Sequence, residues 1–176
     1  MHALLVVDTQ RGFLNDYTSH IPSRIATLIA QNDYEPVLFT RFVNEEGGPY
    51  HRFLGWHACK YPPDTDLAPD IAAFAQDDAI FTKPGLAGMS DELKAYLIEN
   101  EIEAVTLVGI DTDMCVLKIA LDIFDLGIEP FVLVDCCAST LGLQAHLAGL
   151  AVLARNIGAT RLRDAGLSGG QMGAPQ

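Results

Sequence analysis

The sequence predicts an α/β fold in which a parallel β-sheet lies between two layers of helices. Short apolar runs alternate along the chain with amphipathic segments of helical periodicity, and this βαβ order is typical of parallel sheets. The runs are apolar at consecutive positions, as in strands that are covered on both faces. Of the 176 residues, 49% are hydrophobic, which is enough for one domain, and we expect it to span residues 1–167.

Six apolar runs are predicted to be strands, because polar residues or glycine bound each of them. The first run covers residues 3–7 and ends at Asp8, and the fourth covers 105–110 and ends at Asp111. The other runs are at 37–42, 79–82, 131–134 and 160–162. Asp135, at the end of the fifth run, is interpreted as a capping residue for the segment that follows.

Five segments between the strands have apolar residues every three to four positions, which predicts helices. The helix at 113–126 can be capped by Asp111 or Thr112 and can end at Gly127. Its apolar face consists of Val116, Ile119, Ala120, Ile123 and Phe124. The other predicted helices are at 22–31, 69–75, 90–99 and 141–156.

Two segments lack a regular pattern. Residues 44–66 form the longer one and are rich in glycine, proline, histidine and aromatic residues. Long loops inside compact domains are commonly functional, so this stretch is predicted to form the wall of a pocket. Residues 168–176 are rich in glycine and have little to bury, and they are predicted to be a disordered tail.

Charge and cysteine usage disfavour several classes of protein. A net charge of −12 disfavours binding to nucleic acid, because phosphates would repel it. No apolar run is long enough for a membrane span, and the N-terminus enters a strand directly, so a cytoplasmic location is expected. The cysteines have no CxxC spacing, which indicates neither a zinc ribbon nor a disulfide framework. Cys136 and Cys137, which follow the fifth run, are interpreted as packing residues.

The carboxyl ends of the predicted strands carry polar residues and a thiol. In an open parallel sheet, ligands bind in the crevice outside these ends. The residues found there are Asp8, Arg41, Lys83, the segment from Asp111 to Cys115, and Asp135. A carboxylate can accept the proton of a thiol, and an ammonium can stabilise the resulting anions, so these groups could form a nucleophilic site.

Cys115 is the candidate nucleophile, because it lies at the start of a predicted helix. The positive end of the helix dipole and unpaired backbone N–H groups favour a thiolate there. We therefore expect a lowered pKa and faster alkylation than at the other cysteines. The alternative is that Cys115 is a small buried apolar residue, as most free cysteines are. Asp113 is interpreted as a charge that complements the helix N-terminus.

Three segments resemble a known family when they are taken together and in order. They are Leu5-Val-Val-Asp8-Thr-Gln10 followed by Gly12-Phe13-Leu14, then Lys83-Pro84-Gly85 ahead of Ser90, and Gly109-Ile-Asp-Thr-Asp-Met-Cys115-Val116. On these segments the chain resembles the isochorismatase-like cysteine hydrolase superfamily, which includes nicotinamidases and N-carbamoylsarcosine amidohydrolase. The resemblance covers most of the chain. It implies a three-layer α/β/α sandwich with a six-stranded parallel sheet in the order 3-2-1-4-5-6.

The resemblance implies a catalytic triad of Asp8, Lys83 and Cys115. Asp8 would be the general base, Lys83 would hold the carboxylate and the thiolate, and Cys115 would be the nucleophile. It also implies a cis peptide bond between Ile110 and Asp111, with the backbone N–H groups of Asp111 and Cys115 forming an oxyanion hole. The implied reaction proceeds by attack on an amide-type carbonyl, formation of a thioester, and hydrolysis by water that Asp8 activates. No cofactor is implied.

Several residues are predicted to line the substrate pocket, from the resemblance or from their place near the predicted site. They are Phe13, Arg41, Arg52, Trp56, Ile110 and Met114. An arginine among them can clamp a substrate carboxylate, and the alternative for each arginine is a surface ion pair.

The zinc site of the related nicotinamidases has no counterpart in this sequence. Those enzymes carry an Asp-x-His motif after the second strand, where this chain reads Thr40-Arg41-Phe42-Val43-Asn44. His51 and His57 lie in the loop that follows. They are interpreted as solvated or pocket residues, so no metal is predicted.

The leading prediction is a metal-independent cysteine hydrolase that cleaves a C–N bond of a small amide, carbamoyl or ureido compound through a thioester. The alternatives are a catalytically inactive binding or assembly protein of the same fold, a redox role for Cys115, and a zinc-dependent nicotinamidase. A small-molecule substrate and a homo-oligomer are the expected partners, and neither nucleic acid nor a membrane is expected.

Overall fold

A parallel sheet forms the centre of the molecule. The computed structural model describes residues 1–85 and 88–167, so the segment predicted to be a disordered tail lies outside the described residues. The six strands follow the order β3-β2-β1-β4-β5-β6, which confirms the predicted fold class and strand order. They are β1 (His2–Val7), β2 (Val37–Val43), β3 (Ile80–Pro84), β4 (Ala104–Ile110), β5 (Glu129–Ala138) and β6 (Leu162–Arg163).

Helices cover both faces of the sheet. They are α1 (Ile21–Gln31), α2 (Pro49–Leu54), α3 (Pro69–Ala72), α4 (Asp91–Glu99), α5 (Leu117–Asp125) and α6 (Leu143–Ile157). Ile25 of α1 and Ile71 of α3 are buried against one face, and Leu93, Ile123 and Leu153 bring α4, α5 and α6 against the other. None of these helices in the described part of the chain combines the length and apolar character needed to cross a membrane.

The central strand β1 shows why the strands are apolar at consecutive positions. Leu4 and Val6 face the layer of α1, whereas Leu5 and Val7 face the layer of α4, α5 and α6, and all four side chains are buried. Burying each of them is worth about 1.5–3 kcal/mol relative to exposure. Because the strand order reverses between β1 and β4, the carboxyl ends of these two strands open into one crevice.

A π turn carries Cys115 between β4 and α5. It covers Thr112–Val116, and the N–H of Val116 donates to the carbonyl oxygen of Asp111 at 3.0 Å. Helix α6 packs directly on this turn at Gly149. The approach is so close that a Cβ atom added at Gly149 would lie 2.7 Å from the Cα of Asp113. The helix predicted at 113–126 is therefore divided, and the α-helical part begins only at Leu117.

The predicted caps and the predicted loop differ from the structure. Asp111 occupies the position before the π turn but makes no capping hydrogen bond through its side chain, since its carboxylate is bound elsewhere. The stretch predicted to be irregular contains α2, which follows Gly48 and ends at Gly55 in a left-handed conformation with φ of 63°. The six residues of α2 are too few to show a helical period in the sequence.

Strand β5 is longer than predicted. It continues to Ala138, so Cys136 and Cys137 lie inside the strand rather than after it. Asp135 lies inside it too and caps nothing. Its carboxylate forms an ion pair with Arg24 of α1 and accepts a hydrogen bond from the N–H of Ala165 at 2.8 Å, so it ties β5 to its neighbours.

Candidate active site

Three strands bring Asp8, Lys83 and Cys115 to one point. Asp8 follows β1, Lys83 lies on β3, and Cys115 lies in the π turn after β4. The Lys83 side chain crosses β2 to reach the other two, and its ammonium passes 5.5 Å from the centre of the Phe42 ring. The aromatic face attracts the cation and keeps the long side chain directed along this path.

The Lys83 ammonium makes three polar contacts, as many as it has hydrogens to donate. Its Nζ lies 2.8 Å from Oδ2 of Asp8, 3.5 Å from Sγ of Cys115 and 3.4 Å from the carbonyl oxygen of Gly85. The Lys83 and Asp8 side chains are 1% and 0% exposed, so this ion pair is shielded from solvent. Lys83 therefore links the carboxylate to the thiol inside the protein.

Burial and charge set the protonation states of this cluster. Burial lowers the pKa of Lys83, but Asp8 and Cys115 outweigh it, so the pKa is raised and the ammonium persists. Burial raises the pKa of Cys115, and the Asp8 carboxylate raises it further, while Lys83 offsets part of the shift. The predicted lowering of the Cys115 pKa is therefore wrong, because the desolvation of a thiol that is only 9% exposed exceeds the helix-terminal effect. The resting cluster holds a thiol, which needs a base to become a nucleophile.

Asp111 directs its charge away from the thiol. Its carboxylate accepts hydrogen bonds from the backbone N–H of Thr140 at 2.6 Å and from the Thr140 hydroxyl at 2.9 Å. Burial raises the pKa of Asp111, and these two hydrogen bonds act in the opposite direction. The peptide bond between Ile110 and Asp111 is cis. The side chain is thus occupied by Thr140 in the β5–α6 connection.

A cavity of about 490 Å³ opens above Cys115. Four of the predicted pocket residues line it, namely Phe13, Trp56, Ile110 and Met114. The other two lie elsewhere. Arg41 alternates on β2 with the inward residues Thr40 and Phe42, so its guanidinium points outward and donates to Thr82 at 3.1 Å. Arg52 lies on the exposed side of α2 with its guanidinium 5.2 Å from the centre of the Phe53 ring.

Four aromatic rings form one wall of this cavity. Phe42 lies 5.9 Å from Phe13 and 5.8 Å from Trp56, measured between ring centroids. Tyr50 of α2 meets Phe42 and Trp56 edge-on, at 5.4 and 5.2 Å. Burial raises the pKa of Tyr50 to about 12, so its phenol stays protonated. Phe42 and Tyr50 were not predicted to line the pocket, because only long-range packing brings them together. The one available signal was that alternate residues of a strand share a face, which puts Phe42 on the same face of β2 as Thr40.

The side chain of Gln10 holds the backbone of Phe42, one of the four residues of the aromatic wall. Its carboxamide oxygen accepts from the N–H of Phe42 at 2.7 Å, and its nitrogen donates to the carbonyl oxygens of Phe42 at 2.9 Å and Thr65 at 3.1 Å. Gln10 is buried, so these bonds satisfy groups that water does not reach. The sequence gives Gln10 as part of the first matching segment, but its partners follow only from the fold.

The two histidines of the long loop, His51 and His57, contact each other. Nε2 of His51 lies 2.9 Å from Nδ1 of His57, and Nδ1 of His51 accepts from the N–H of Gly47 at 3.1 Å. Both ring nitrogens of His51 are therefore engaged. Within residues 1–85 and 88–167, no group of three or more His, Cys, Asp or Glu side chains is arranged to hold a metal ion.

Alkylation should distinguish Cys115 from the other cysteines. The thiol proton of Cys115 has an acceptor in Asp8, the thiolate has Lys83 beside it, and Cys115 lines the cavity, whereas Cys59 and Cys136 are fully buried and do not line it. We expect iodoacetamide to label Cys115 about tenfold faster than the other three near neutral pH. Peptide mass spectrometry of partially labelled protein measures these rates, and equal labelling at all four positions would contradict the assignment.

The fold defines a class of protein. A six-stranded parallel sheet in this order, flanked by helices, is the fold of an isochorismatase-like hydrolase. The isochorismatase domain model matches residues 2–163, and the chain belongs to this family. The resemblance seen in the sequence is thereby confirmed.

Several relatives support this assignment. A nicotinamidase of Acinetobacter baylyi is 26% identical, and the match covers 77% of this chain and 80% of the relative. An isochorismatase-like hydrolase from Alkaliphilus metalliredigens has the same fold with a TM-score of 0.81 at 22% identity, covering 93% of this chain and 94% of that chain. An N-carbamoylsarcosine amidase from Thermoplasma acidophilum has a TM-score of 0.76 at 20% identity, covering 96% and 99%. At these identities the two solved structures show the shared fold alone.

Proposed function

We propose that the chain is a metal-independent cysteine hydrolase that cleaves the C–N bond of a small uncharged amide through a thioester. The observation that carries this proposal is the Lys83 ammonium, which contacts Asp8 at 2.8 Å and Cys115 at 3.5 Å beside the cavity. A carboxylate and a thiol joined in this way can exchange a proton while the cation balances whichever anion results.

The first half of the proposed reaction forms the thioester. Asp8 takes the proton of the Cys115 thiol, and the thiolate attacks the substrate carbonyl carbon. The carbonyl oxygen becomes an oxyanion, which the backbone N–H groups of Asp111 and Cys115 stabilise. The C–N bond then breaks, and the leaving nitrogen takes the proton that Asp8 holds, so ammonia or an amine departs and the acyl group stays on sulfur.

The second half hydrolyses the thioester. Asp8, again a carboxylate, removes a proton from a water molecule, which attacks the acyl carbon. The C–S bond breaks, the acid leaves, and the proton on Asp8 returns to the thiolate. General base catalysis of this kind contributes about 10²–10⁴-fold to a rate. Lys83 exchanges no proton in either half, because its raised pKa keeps it charged.

The lining of the cavity selects the acyl group of the substrate. Phe13, Phe42, Tyr50 and Trp56 provide flat apolar surfaces, and no arginine, lysine or histidine is among the described residues that line the cavity. A substrate carboxylate would lose its hydration there without gaining a cation, since the Lys83 ammonium already contacts Asp8 and Cys115. An uncharged, flat or apolar acyl group fits, with the polar side chains of Asn15 and Thr140 at one edge.

A substrate panel with ammonia release as the readout tests this proposal. We expect kcat/KM for uncharged aromatic primary amides such as benzamide to exceed that for carboxylated ureido acids such as N-carbamoylglycine by about 100-fold or more, as expected for an unpaired buried charge. Treatment with a chelator should leave the rate unchanged. A preference for the carboxylated compounds would overturn the substrate class, and loss of activity on chelation would favour a zinc-dependent enzyme. Binding without turnover across the panel would favour a non-catalytic binding protein.

A further inference from the structure

We propose that Thr40 is a positioning residue that orients Asp8 and tunes its affinity for a proton, an inference that rests on the proposed function. The Thr40 hydroxyl donates to Oδ1 of Asp8 at 2.7 Å, and the hydroxyl oxygen Oγ1 of Thr40 accepts from the backbone N–H of Asp8 at 3.0 Å. One hydroxyl thus holds Asp8 at both its side chain and its main chain.

The two carboxylate oxygens of Asp8 have separate partners. Oδ1 is bound by Thr40, whereas Oδ2 lies 2.8 Å from the Lys83 ammonium. Because the Thr40 hydroxyl has one hydrogen to donate, and it is directed to Oδ1, the carboxylate cannot turn without losing that bond. Oδ2 is therefore presented to the side of the cluster where Lys83 also contacts Cys115.

The backbone of Asp8 adds a reason for this support. Asp8 has φ of 41°, a left-handed conformation that a residue with a side chain adopts at some cost. The bond from its N–H to Thr40 stabilises that conformation, in a position where both residues are buried. The β-branched Thr40 side chain has few rotamers, so it is a rigid support.

The hydrogen bond also favours the ionised carboxylate over the acid. A donor to a carboxylate stabilises its charged form, so loss of the Thr40 hydroxyl should make Asp8 hold its proton more strongly. Cys115 can pass its proton to Asp8 only while Asp8 is a carboxylate, so alkylation of Cys115 should decline at acidic pH as Asp8 becomes protonated. The pH of that decline should therefore rise when the hydroxyl is removed.

The experiment measures the rate of Cys115 alkylation by iodoacetamide against pH in Thr40→Val, Thr40→Ala and Thr40→Ser. In the valine and alanine variants, we expect the acidic limb of the profile to move up by about one pH unit, as expected for one hydrogen bond to a charged group. The serine variant keeps the hydroxyl and should keep the wild-type profile. Thr106→Val is the matched control, because Thr106 is a buried strand threonine whose hydroxyl contacts His2, away from the cluster.

Hydrolysis provides a second readout once a substrate is in hand. We expect kcat of Thr40→Val to fall about tenfold or more with KM changed less than about twofold, since the base is misplaced while the cavity is intact. An unchanged acidic limb in both Thr40→Val and Thr40→Ala, or the same shift in Thr106→Val, would overturn the role of Thr40. Alkylation needs no substrate, so a wild-type protein that hydrolyses no amide would remove the proposed function while the pH profile still decides on Thr40.

Discussion

Replacing Cys115 by alanine should abolish hydrolysis while the protein stays folded. Cys115 is the thiol that lines the cavity and contacts the Lys83 ammonium, so its loss removes the atom that forms the thioester. Loss of a catalytic nucleophile lowers kcat by about four orders of magnitude or more. Steady-state kinetics of purified Cys115→Ala, with far-ultraviolet circular dichroism to verify the fold, measures the effect.

The matched control is Cys136→Ala. Cys136 is also a buried cysteine, but it lies inside β5 on the side of the sheet covered by α1. This variant should lose some stability, because a buried sulfur is removed, and should keep its kcat within about twofold. Activity above about one per cent of wild type in Cys115→Ala would remove Cys115 from the role of nucleophile.

Replacing Lys83 by methionine should both inactivate and destabilise the protein. The substitution keeps the length of the side chain but leaves the Asp8 carboxylate buried without the cation that lies 2.8 Å away. Removing one partner of a buried ion pair costs about 3–5 kcal/mol in the free energy of unfolding. Urea denaturation measures this change, and the same preparation should hydrolyse no amide, since nothing balances the thiolate.

Two further variants separate charge from packing. Asp8→Asn combined with Lys83→Met removes both charges and should recover a large part of the lost stability, although not the activity. Lys118→Met breaks an exposed pair with Asp122 on α5 and should change the free energy of unfolding by less than about 1 kcal/mol. A Lys83→Met protein as stable as Lys118→Met would show that the carboxylate of Asp8 is not a buried charge in the folded protein.

The sequence was sufficient for β1 and β4 and for the residues that follow them. Consecutive apolar residues in β1 and β4 are what a doubly covered strand requires, so the parallel sheet follows from local pattern. Once the sheet is parallel, Asp8 and Cys115 must lie at the same edge of it. Lys83 is less evident, because it reaches the site from β3 across the width of β2.

Features that depend on long-range packing could not be predicted. The raised pKa of Cys115 results from the depth at which the π turn is buried, and no local pattern reports that depth. Side chains along β2 alternate between the two faces of the sheet, and the face that Arg41 occupies decides whether it reaches the cavity. Because β2 carries apolar residues on both faces, the sequence does not show which face that is. Likewise, α2 has only six residues and depends on its tertiary contacts, so the sequence did not indicate that Tyr50 lies beside the cavity.

The most direct test of the proposed mechanism is the fate of an acyl group on Asp8→Asn. Asparagine cannot activate the second water, and loss of the Asp8 charge favours ionisation of Cys115, so an activated ester should acylate the thiol and stop. We expect p-nitrophenyl benzoate to release one equivalent of p-nitrophenol in a burst. Intact-protein and peptide mass spectrometry should place the benzoyl group on Cys115. Continuous turnover by Asp8→Asn at the wild-type rate, or a benzoyl group on a residue other than Cys115, would contradict a mechanism in which Asp8 is the base and Cys115 carries the thioester.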